Sequence, residues 1–301
     1  MERLKRTEKN TLTERVLQFG EGNFLRGFVD WMIDKLNKEN GGDYGVTIVQ
    51  PLAGGLVDKL NAQDGRYSLY LRGLLKGEKV EETRIVDCVT RGINPYTNTD
   101  EFFDCAKNPD LRFIVSNTTE AGIEYKPNQN PDDFNGLTFP GRLTLFMKKR
   151  FDEGLGGFIL LPCELIDKNG DNLKECILKY SVDWGYGGEF EKWIETENHF
   201  TNTLVDRIVT GYPRDNAKEM EQSYGYLDDM IDTAEIFHLW VIEGDKKLAE
   251  EIPFHKIGLN VLWTDDVTPY KKRKVRILNG AHTMTAVSYT HLRAHETRHD
   301  L

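Results

Sequence analysis

Residues 15–26 read RVLQFGEGNFLR, and the predicted architecture follows from this segment. Its first five residues form a mostly apolar run typical of a short strand, and residues 20–23 predict a tight turn. Helical spacing of apolar side chains then continues from Phe24 to a glycine pair at residues 41–42. A strand, a turn containing Gly20 and Gly22, and a helix suit a dinucleotide pyrophosphate, because glycines permit close backbone approach and a helix N-terminus binds anions.

The dinucleotide pattern in this turn is incomplete. The third glycine of G-x-G-x-x-G falls at Leu25, so an ordinary turn remains the alternative. The second predicted strand, residues 46–50, ends at Gln50 instead of an acid for the ribose hydroxyls. No cluster of Arg or Lys follows that strand to receive a 2′-phosphate, which favours NAD over NADP.

Later apolar runs extend the same alternation of strands with helices or loops. Residues 84–89, 111–115 and 157–161 are short and rich in β-branched side chains. The pattern predicts an α/β fold with a Rossmann-like, doubly wound, mostly parallel sheet. Polar clusters at residues 116–122 and 162–170 follow the last two runs, where ligands collect in such folds, although ordinary polar loops remain the alternative.

The composition favours small-molecule partners. The chain has 301 residues, 39% of them hydrophobic and 29% charged, with a formal net charge of −10. An acidic protein lacks the electrostatic footprint needed for nucleic acid or an anionic membrane. No apolar run is long enough to span a bilayer, and the N-terminal residues lack the apolar core of a signal peptide, so we expect a cytoplasmic chain. The four cysteines form no Cys-x-x-Cys pair, which predicts buried free thiols and no metal site.

A second chemically informative segment, residues 274–282, reads KVRILNGAH. On a helix, Lys274 and His282 fall roughly 80° apart with Asn279 just beyond, so all three can face one substrate. Lys274 shares this face with apolar neighbours, and burial disfavours the charged form of a lysine, as a general base near neutral pH requires. The alternative is an ordinary amphipathic helix with a snorkelling lysine and a core histidine.

These segments resemble the mannitol dehydrogenase family of polyol-specific long-chain dehydrogenases. Residues 18–26 are similar to the family's cofactor turn, which uses Phe and Arg instead of a third glycine. Residues 264–270, followed by Lys274, Asn279 and His282, are similar to its catalytic signature. The resemblance implies that the cofactor NAD is bound by Phe19, Gly20, Gly22, Asn23, Phe24 and Arg26.

The same resemblance implies catalytic roles. Lys274 becomes the general acid/base, and Asn279 and Asn169 become donors to the reacting oxygen. His282 becomes a substrate contact, while Glu120 and Asp206 become polar supports near the reaction centre. From the residues alone, the adjacent Asp206 and Arg207 predict a structural ion pair within an apolar segment.

Within the family, residues 116–122, 162–167 and 203–215 resemble the branch that acts on sugar acids. This implies interconversion of D-tagaturonate and D-altronate with NAD(H), by hydride transfer, in hexuronate catabolism. A uronate carboxylate requires a cation, which the sequence does not identify. A fructuronate- or mannitol-type dehydrogenase and a non-catalytic nucleotide-binding fragment remain the alternatives.

The resemblance ends near residue 285, where we expect the native sequence to be interrupted. The predicted organisation is a dinucleotide-binding domain over residues 1–268, the start of a truncated helical domain over 269–286, and a non-native tail over 287–301. The tail resembles a translated sequencing adaptor, so the repeated His291, His295 and His299 are not interpreted as metal ligands.

Overall fold

The computed structural model describes residues 1–75, 77–119, 121–274, 276, 280, 283–284 and 287, so Glu120, Asn279 and His282 lie outside the described residues. The strands are, in chain order, β1 (Glu14–Phe19), β2 (Gly45–Val49), β3 (Tyr67–Leu75), β4 (Glu78–Val86), β5 (Val89–Ile93), β6 (Phe113–Ser116), β7 (Ile159–Pro162), β8 (His199–Phe200), β9 (Asn202–Asp206), β10 (Asp232–Glu235), β11 (Leu239–Glu243) and β12 (Val261–Thr264).

The α-helices are, in the same order, α1 (Asn23–Leu25), α2 (Trp31–Asn40), α3 (Val57–Ala62), α4 (Thr99–Cys105), α5 (Phe139–Asp152), α6 (Asn169–Asp183), α7 (Gly188–Glu197), α8 (Ala217–Tyr224) and α9 (Thr268–Arg273). Short 3-10 helices occupy Phe134–Gly136, Lys246–Glu250 and Phe254–Ile257.

The main sheet has six strands in the order β5-β2-β1-β6-β7-β8, and every neighbouring pair is parallel. In this order the chain winds outward from β1 in one direction and then in the other, which is the doubly wound Rossmann arrangement. The predicted fold class is therefore confirmed. The register places Ile93, Val49, Phe19, Ser116 and Pro162 side by side, so the loops after five strands meet at one edge.

Two three-stranded sheets, β10-β3-β4 and β12-β11-β9, complete the described strands. The hairpin β3–β4 corrects one prediction, because the apolar run at residues 84–89 is not a single strand. β4 ends at Val86 and β5 begins at Val89. Between them, the backbone N–H of Asp87 donates to Asp34 Oδ1 over 3.1 Å, so the chain leaves the hairpin at a fixed point before it enters the main sheet.

The helix predicted after the glycine turn is present but has an irregular second turn. α1 passes into a π-helical segment, Arg26–Asp30, and then into α2. α2 ends at Asn40, and the capping residue Gly41 has a φ of 64°, in the left-handed region that glycine favours at a helix C-terminus.

Apolar layers cover both faces of the main sheet, and alternate residues of β1 contribute to each. Val16 packs with side chains of α2, including Met32. Leu17 and Phe19 point to the other layer, which contains side chains of α4, α5, α6 and α7. The core therefore holds β1 rigidly and fixes the position of the turn that follows it.

Among the described residues, no helix is long and apolar enough to cross a bilayer. The four cysteines are buried and free. The domain boundaries at residues 268 and 286 stay predictions, although α9 begins at Thr268.

Candidate active site

Two glycines, Gly20 and Gly22, have different roles in the turn after β1. Gly20 has a φ of +127°, and a Cβ there would lie 3.2 Å from Leu25 Cδ1 and 3.4 Å from the Asn117 carbonyl oxygen. Gly22 has an ordinary extended backbone, is exposed, and has open space where a Cβ would stand. Gly20 thus lets the chain turn within the fold, whereas Gly22 leaves the start of the helix open to a ligand.

Arg26 is buried beneath this turn, contrary to its predicted position at the cofactor. It is 1% exposed and donates to the carbonyl oxygens of Glu21, at 3.0 Å, and Met230, at 2.6 Å. Its Nη2 also donates to Asn23 Oδ1 over 2.7 Å, and its guanidinium stacks on the Tyr67 ring. These contacts use the donors of Arg26 for the backbone of the turn, so the residue positions the turn from below.

The two phenylalanines predicted to contact the cofactor pack against other aromatic rings. Phe19 is 3% exposed and packs against Phe102 and Phe139. Phe24 is half-buried and stacks on Phe28 with ring centroids 5.0 Å apart. Of the residues predicted to contact cofactor, Gly22 and Asn23 are exposed at the turn, Gly20 is buried within it, and Phe19, Phe24 and Arg26 pack behind it.

The loop after β2 is closed by side chains rather than by an acid for a ribose. Gln50 Nε2 donates to the carbonyl oxygens of Leu52, at 2.7 Å, and Ala53, at 3.1 Å. Glu21 Oε1 accepts a hydrogen bond from the Leu56 backbone over 3.3 Å, and burial raises the pKa of Glu21. These two side chains fix the loop beside the glycine turn.

Glu164, which the sequence did not single out, joins the ends of β6 and β7. Its carboxylate is 2% exposed and accepts hydrogen bonds from Ser116 Oγ at 3.0 Å, from the Thr118 backbone N–H at 2.9 Å and from Thr118 Oγ1 at 3.0 Å. Burial raises the pKa of this carboxyl, and the hydrogen bonds from Thr118 and Ser116 oppose the shift. Glu164 thereby fixes the loop that follows β6 at the edge of the main sheet where the loops after the strands meet.

Asn169 occupies a structural position and not the ligand-facing one that was predicted. It is 1% exposed, and its Nδ2 lies within hydrogen-bond distance of the carbonyl oxygens of Pro162, at 2.9 Å, Glu164, at 3.1 Å, and Thr203, at 3.2 Å. Its Oδ1 accepts from the Thr203 backbone N–H over 2.8 Å. Because these groups occupy its donors and acceptor, Asn169 ties β7, α6 and β9 together and does not present its amide to a substrate.

Lys274 follows the last residue of α9 and reaches the end of β9. Its Nζ donates to the Val205 carbonyl oxygen over 2.5 Å and lies 3.3 Å from Asp206 Oδ1. The Lys274 and Asp206 side chains are each 15% exposed. Within α9, Lys271 forms an ion pair of 2.6 Å with Asp167 and thereby lowers the pKa of that carboxyl. The two lysines hold α9 against the loop after β7 and the end of β9.

Asp206 pairs with Lys274, so the predicted ion pair between Asp206 and Arg207 is wrong. Arg207 turns to the opposite side, where it donates to the carbonyl oxygens of Gly27, at 2.7 Å, and Glu235, at 2.8 Å. Its guanidinium lies 4.1 Å from the centre of the Trp31 ring, and burial lowers its pKa to about 10. Adjacent residues of an extended chain face opposite ways, which explains the separation.

Lys274, Asn279 and His282 were predicted to share one helix face, but Asn279 and His282 lie outside the described residues. Glu120 does too, so both assignments stay predictions. Among the candidates that the structure does describe, Lys274 and Asp206 lie together, and Asn169 reaches the same strand through Thr203. Gly20, Gly22 and Asn23 follow β1 of the main sheet, whereas β9 belongs to the β12-β11-β9 sheet. Sequence spacing could not reveal these meetings, because Lys274 and Val205 are 69 positions apart.

Two buried acids beneath the glycine turn, Asp30 and Asp232, were not predicted from the sequence. Asp30 Oδ2 accepts from Tyr67 Oη at 3.2 Å and from Gln18 Nε2 at 3.4 Å. Burial raises the pKa of Asp30 to about 7 and that of Asp232 to about 6. In the described structure, Asp30 Oδ1, Asp232 Oδ2 and Gln18 Oε1 have no hydrogen-bond partner.

A doubly wound parallel sheet with an open glycine turn at its switch point defines a dinucleotide-binding domain of the Rossmann class. The sequence profile of the mannitol dehydrogenase Rossmann domain matches residues 14–256, and the chain belongs to that family. The predicted family membership is confirmed.

Two curated relatives are altronate oxidoreductases. The protein from Cronobacter sakazakii (strain ATCC BAA-894) is 49% identical over 275 residues, and that from Shigella flexneri is 50% identical over the same length. In both cases the match covers 90% of this chain and 57% of the relative. The chain therefore spans a little over half the length of these relatives.

Solved structures of two dehydrogenases share the fold. A substrate-free D-sorbitol dehydrogenase superposes with a TM-score of 0.77 at 24% identity, covering 91% of this chain and 58% of that one. The Pseudomonas fluorescens mannitol 2-dehydrogenase, solved with NAD and D-mannitol, gives a TM-score of 0.75 at 22% identity, covering 90% and 57%. At these identities the similarity establishes the fold.

Proposed function

We propose that this chain carries the dinucleotide site and the acid/base lysine of an NAD-dependent oxidoreductase that interconverts D-tagaturonate and D-altronate. The observation that supports the proposal most is the identity of about half of all aligned residues with two altronate oxidoreductases, extending over 90% of the chain. The pair formed by Lys274 and Asp206 at the end of β9 is consistent with a proton-transfer site.

The residues of the glycine turn fit a dinucleotide. Space is open above Gly22, where a side chain would otherwise stand between the helix start and a phosphate group. Gly20, Gly22 and Asn23 would hold NAD, which when bound supplies or accepts a hydride. We assign NAD instead of NADP because Gln50 and Glu21 close the loop after β2, where a 2′-phosphate would require a cation.

Lys274 would transfer the proton that accompanies the hydride. When a ketone is reduced, its carbon gains the hydride and its oxygen gains a proton from the Lys274 ammonium group; oxidation of the alcohol reverses both transfers. Asp206 holds the lysine at the end of β9. Asn279 stays a proposed donor to the substrate oxygen, His282 a proposed substrate contact and Glu120 a proposed support. Asn169 is now assigned to positioning β9.

The test is oxidation of NADH by the chain with D-tagaturonate, compared with D-fructuronate and D-fructose. Because the chain spans 57% of its relatives, the same assay is run on the chain continued with the remaining segment of the Cronobacter sakazakii relative. The proposal requires a preference for D-tagaturonate in at least one of these proteins. A preference for D-fructuronate or D-fructose, or NADH binding without turnover in both proteins, would contradict it.

A further inference from the structure

A cavity of about 550 Å³ lies beside the glycine turn and outside the residues assigned to catalysis. Its walls come from β3, from β10, from the loop at residues 210–216 and from Met220 of α8, and Asn23 reaches it from the start of the helix. We call it the Arg72–Arg214 cavity, after the two cations that line it. Residues 210–215 belong to one of the segments that resemble the sugar-acid branch of the family.

The two arginines are free to bind a ligand. In the part of the chain that the structure describes, neither guanidinium has a hydrogen bond or an ion pair with the protein. Arg26 and Arg207, by contrast, donate hydrogen bonds to backbone carbonyl oxygens. Arg72 lies two residues after Tyr70 on β3, so both point to the same face of the strand, and both line the cavity.

Two acidic side chains near the cavity partly offset the positive charge of its arginines. Asp215 lines the cavity beside Arg214, and Glu81 stands opposite Arg72 in the β3–β4 pairing. Among the described residues, neither carboxylate forms an ion pair with the guanidinium group of Arg72 or Arg214. The arginines therefore keep their donors available even in a chain with a net charge of −10.

Asn23 adds two further donors whose direction is fixed. A guanidinium has no acceptor, so the Asn23 oxygen must face Arg26 Nη2, 2.7 Å away. The amide nitrogen then points to the other side, where a Cβ on Gly211 would lie only 2.3 Å from it. No described residue accepts a hydrogen bond from Asn23 Nδ2. Arg26 thus orients the Asn23 NH₂ group toward the loop that forms one wall of the cavity.

We propose that the Arg72–Arg214 cavity binds an oxyanion through both guanidinium groups and the Asn23 amide. The oxyanion has two possible sources, the carboxylate of the sugar acid and the pyrophosphate of the dinucleotide. Both are ligands of the proposed function, on which this proposal therefore rests. Arginine suits either group because its planar donors can bind two oxygens at once. Asn23 lines the cavity and begins the helix at the glycine turn, where the dinucleotide is proposed to bind. Thr210 also lines the cavity, and it follows Asp206 by four residues, which span at most about 13 Å of extended chain. Both sources can therefore reach the cavity.

The test uses the chain itself and the double variant Arg72→Gln/Arg214→Gln. Calorimetric titration with inorganic pyrophosphate, D-tagaturonate and uncharged D-tagatose is combined with NADH fluorescence. Lys218→Gln is the matched control, because Lys218 is an exposed cation on α8 that does not line the cavity. Circular dichroism checks that the variants fold, which we expect because both arginines are exposed.

The double variant is expected to lose about tenfold or more in affinity for at least one anionic probe, with D-tagatose unaffected. A loss confined to D-tagaturonate identifies the carboxylate as the ligand, and a joint loss toward NADH and pyrophosphate identifies the dinucleotide. The proposal is overturned if the parent chain binds no anionic probe, if the double variant binds all of them normally, or if Lys218→Gln has the same effect. Retained pyrophosphate binding without any tagaturonate turnover would sink the proposed function and leave the cavity assignment standing.

Discussion

Lys274 Nζ lies 3.3 Å from Asp206 Oδ1, and both side chains are mostly buried at the end of β9. The lysine is also held by the Val205 carbonyl oxygen, so two groups of one strand determine where its ammonium points. This contact connects the end of α9 to β9, a strand of the β12-β11-β9 sheet. It is the feature of the described structure on which the proposed proton transfer depends.

Replacing Lys274 should abolish turnover without weakening cofactor binding. In the chain continued as described above, Lys274→Ala is expected to lower kcat by about 10²- to 10⁴-fold, the usual contribution of a positioned acid/base group. The NADH dissociation constant should stay within about twofold. Lys272→Ala, which removes an exposed neighbour on α9, is the control. Retention of normal kcat by Lys274→Ala would refute the acid/base assignment.

Gly20→Ala and Gly22→Ala should separate folding from ligand binding. Gly20→Ala forces an alanine to a φ of +127° and is expected to cost about 1–3 kcal/mol of stability. Gly22→Ala meets no neighbour, so its free energy of unfolding should change by less than about 1 kcal/mol. Its new methyl group should nevertheless weaken NADH binding by about tenfold, as measured by fluorescence titration. Normal NADH affinity in Gly22→Ala would mean that the turn is not the pyrophosphate site.

Asn169→Ala tests whether this residue positions β9 or donates to a substrate. Its contacts with Pro162, Glu164 and Thr203 predict a loss of about 2–3 kcal/mol in the free energy of unfolding, because buried polar groups are left unpaired. Urea denaturation measures this loss, and Asn172→Ala at an exposed site of α6 is the control. A variant with unchanged stability and a lower kcat would restore the role of oxyanion donor.

Glu164→Ala should destabilise the loop after β6. Removal of its carboxylate leaves the Thr118 backbone N–H and the Ser116 and Thr118 hydroxyls without their acceptor, for an expected cost of about 2–4 kcal/mol. Glu175→Ala, at an exposed position of α6, should cost less than about 0.5 kcal/mol. Equal effects of the two substitutions on the urea midpoint would refute the clamp.

Asp30→Asn should stabilise the chain increasingly as the pH rises. The folded carboxyl has a pKa of about 7, above the value of about 3.9 in an unfolded chain. The unfolded state therefore ionises first, and the parent loses stability between those two values as pH increases. The advantage of Asp30→Asn at pH 8 should exceed that at pH 5 by about 2–3 kcal/mol. Asp110→Asn, at an exposed site, should show no such trend. An advantage independent of pH would disprove the buried, protonated state.

The main elements could be predicted because their signals are local. The strand expected at residues 15–19 is β1, and the following helix ends beside Gly41, where the glycine pair indicated. Apolar periodicity and glycine punctuation depend only on neighbours in the chain. The hairpin β3–β4 was missed because its strands expose many charged residues and its end merges with the apolar run that begins β5.

The roles of single site residues were less predictable because their partners are distant in sequence. Arg26 bonds to Met230, 204 positions away, and Asn169 bonds to Thr203, 34 positions away. A sequence motif specifies that an arginine or asparagine is present, but the surrounding packing decides which way its donors point. Arg26 and Asn169 were therefore assigned to ligands although they bond to the backbone, whereas Glu164 was included in a polar cluster without a role of its own.

The decisive measurement is the product balance with NADH and D-tagaturonate, made on the chain and on its continued form. We predict that D-altronate accumulates in a one-to-one ratio with oxidised NAD and that Lys274→Ala removes both products. NADH that binds normally but is not consumed with D-tagaturonate in either protein, while another ketose or keto acid is reduced, would contradict the assigned reaction.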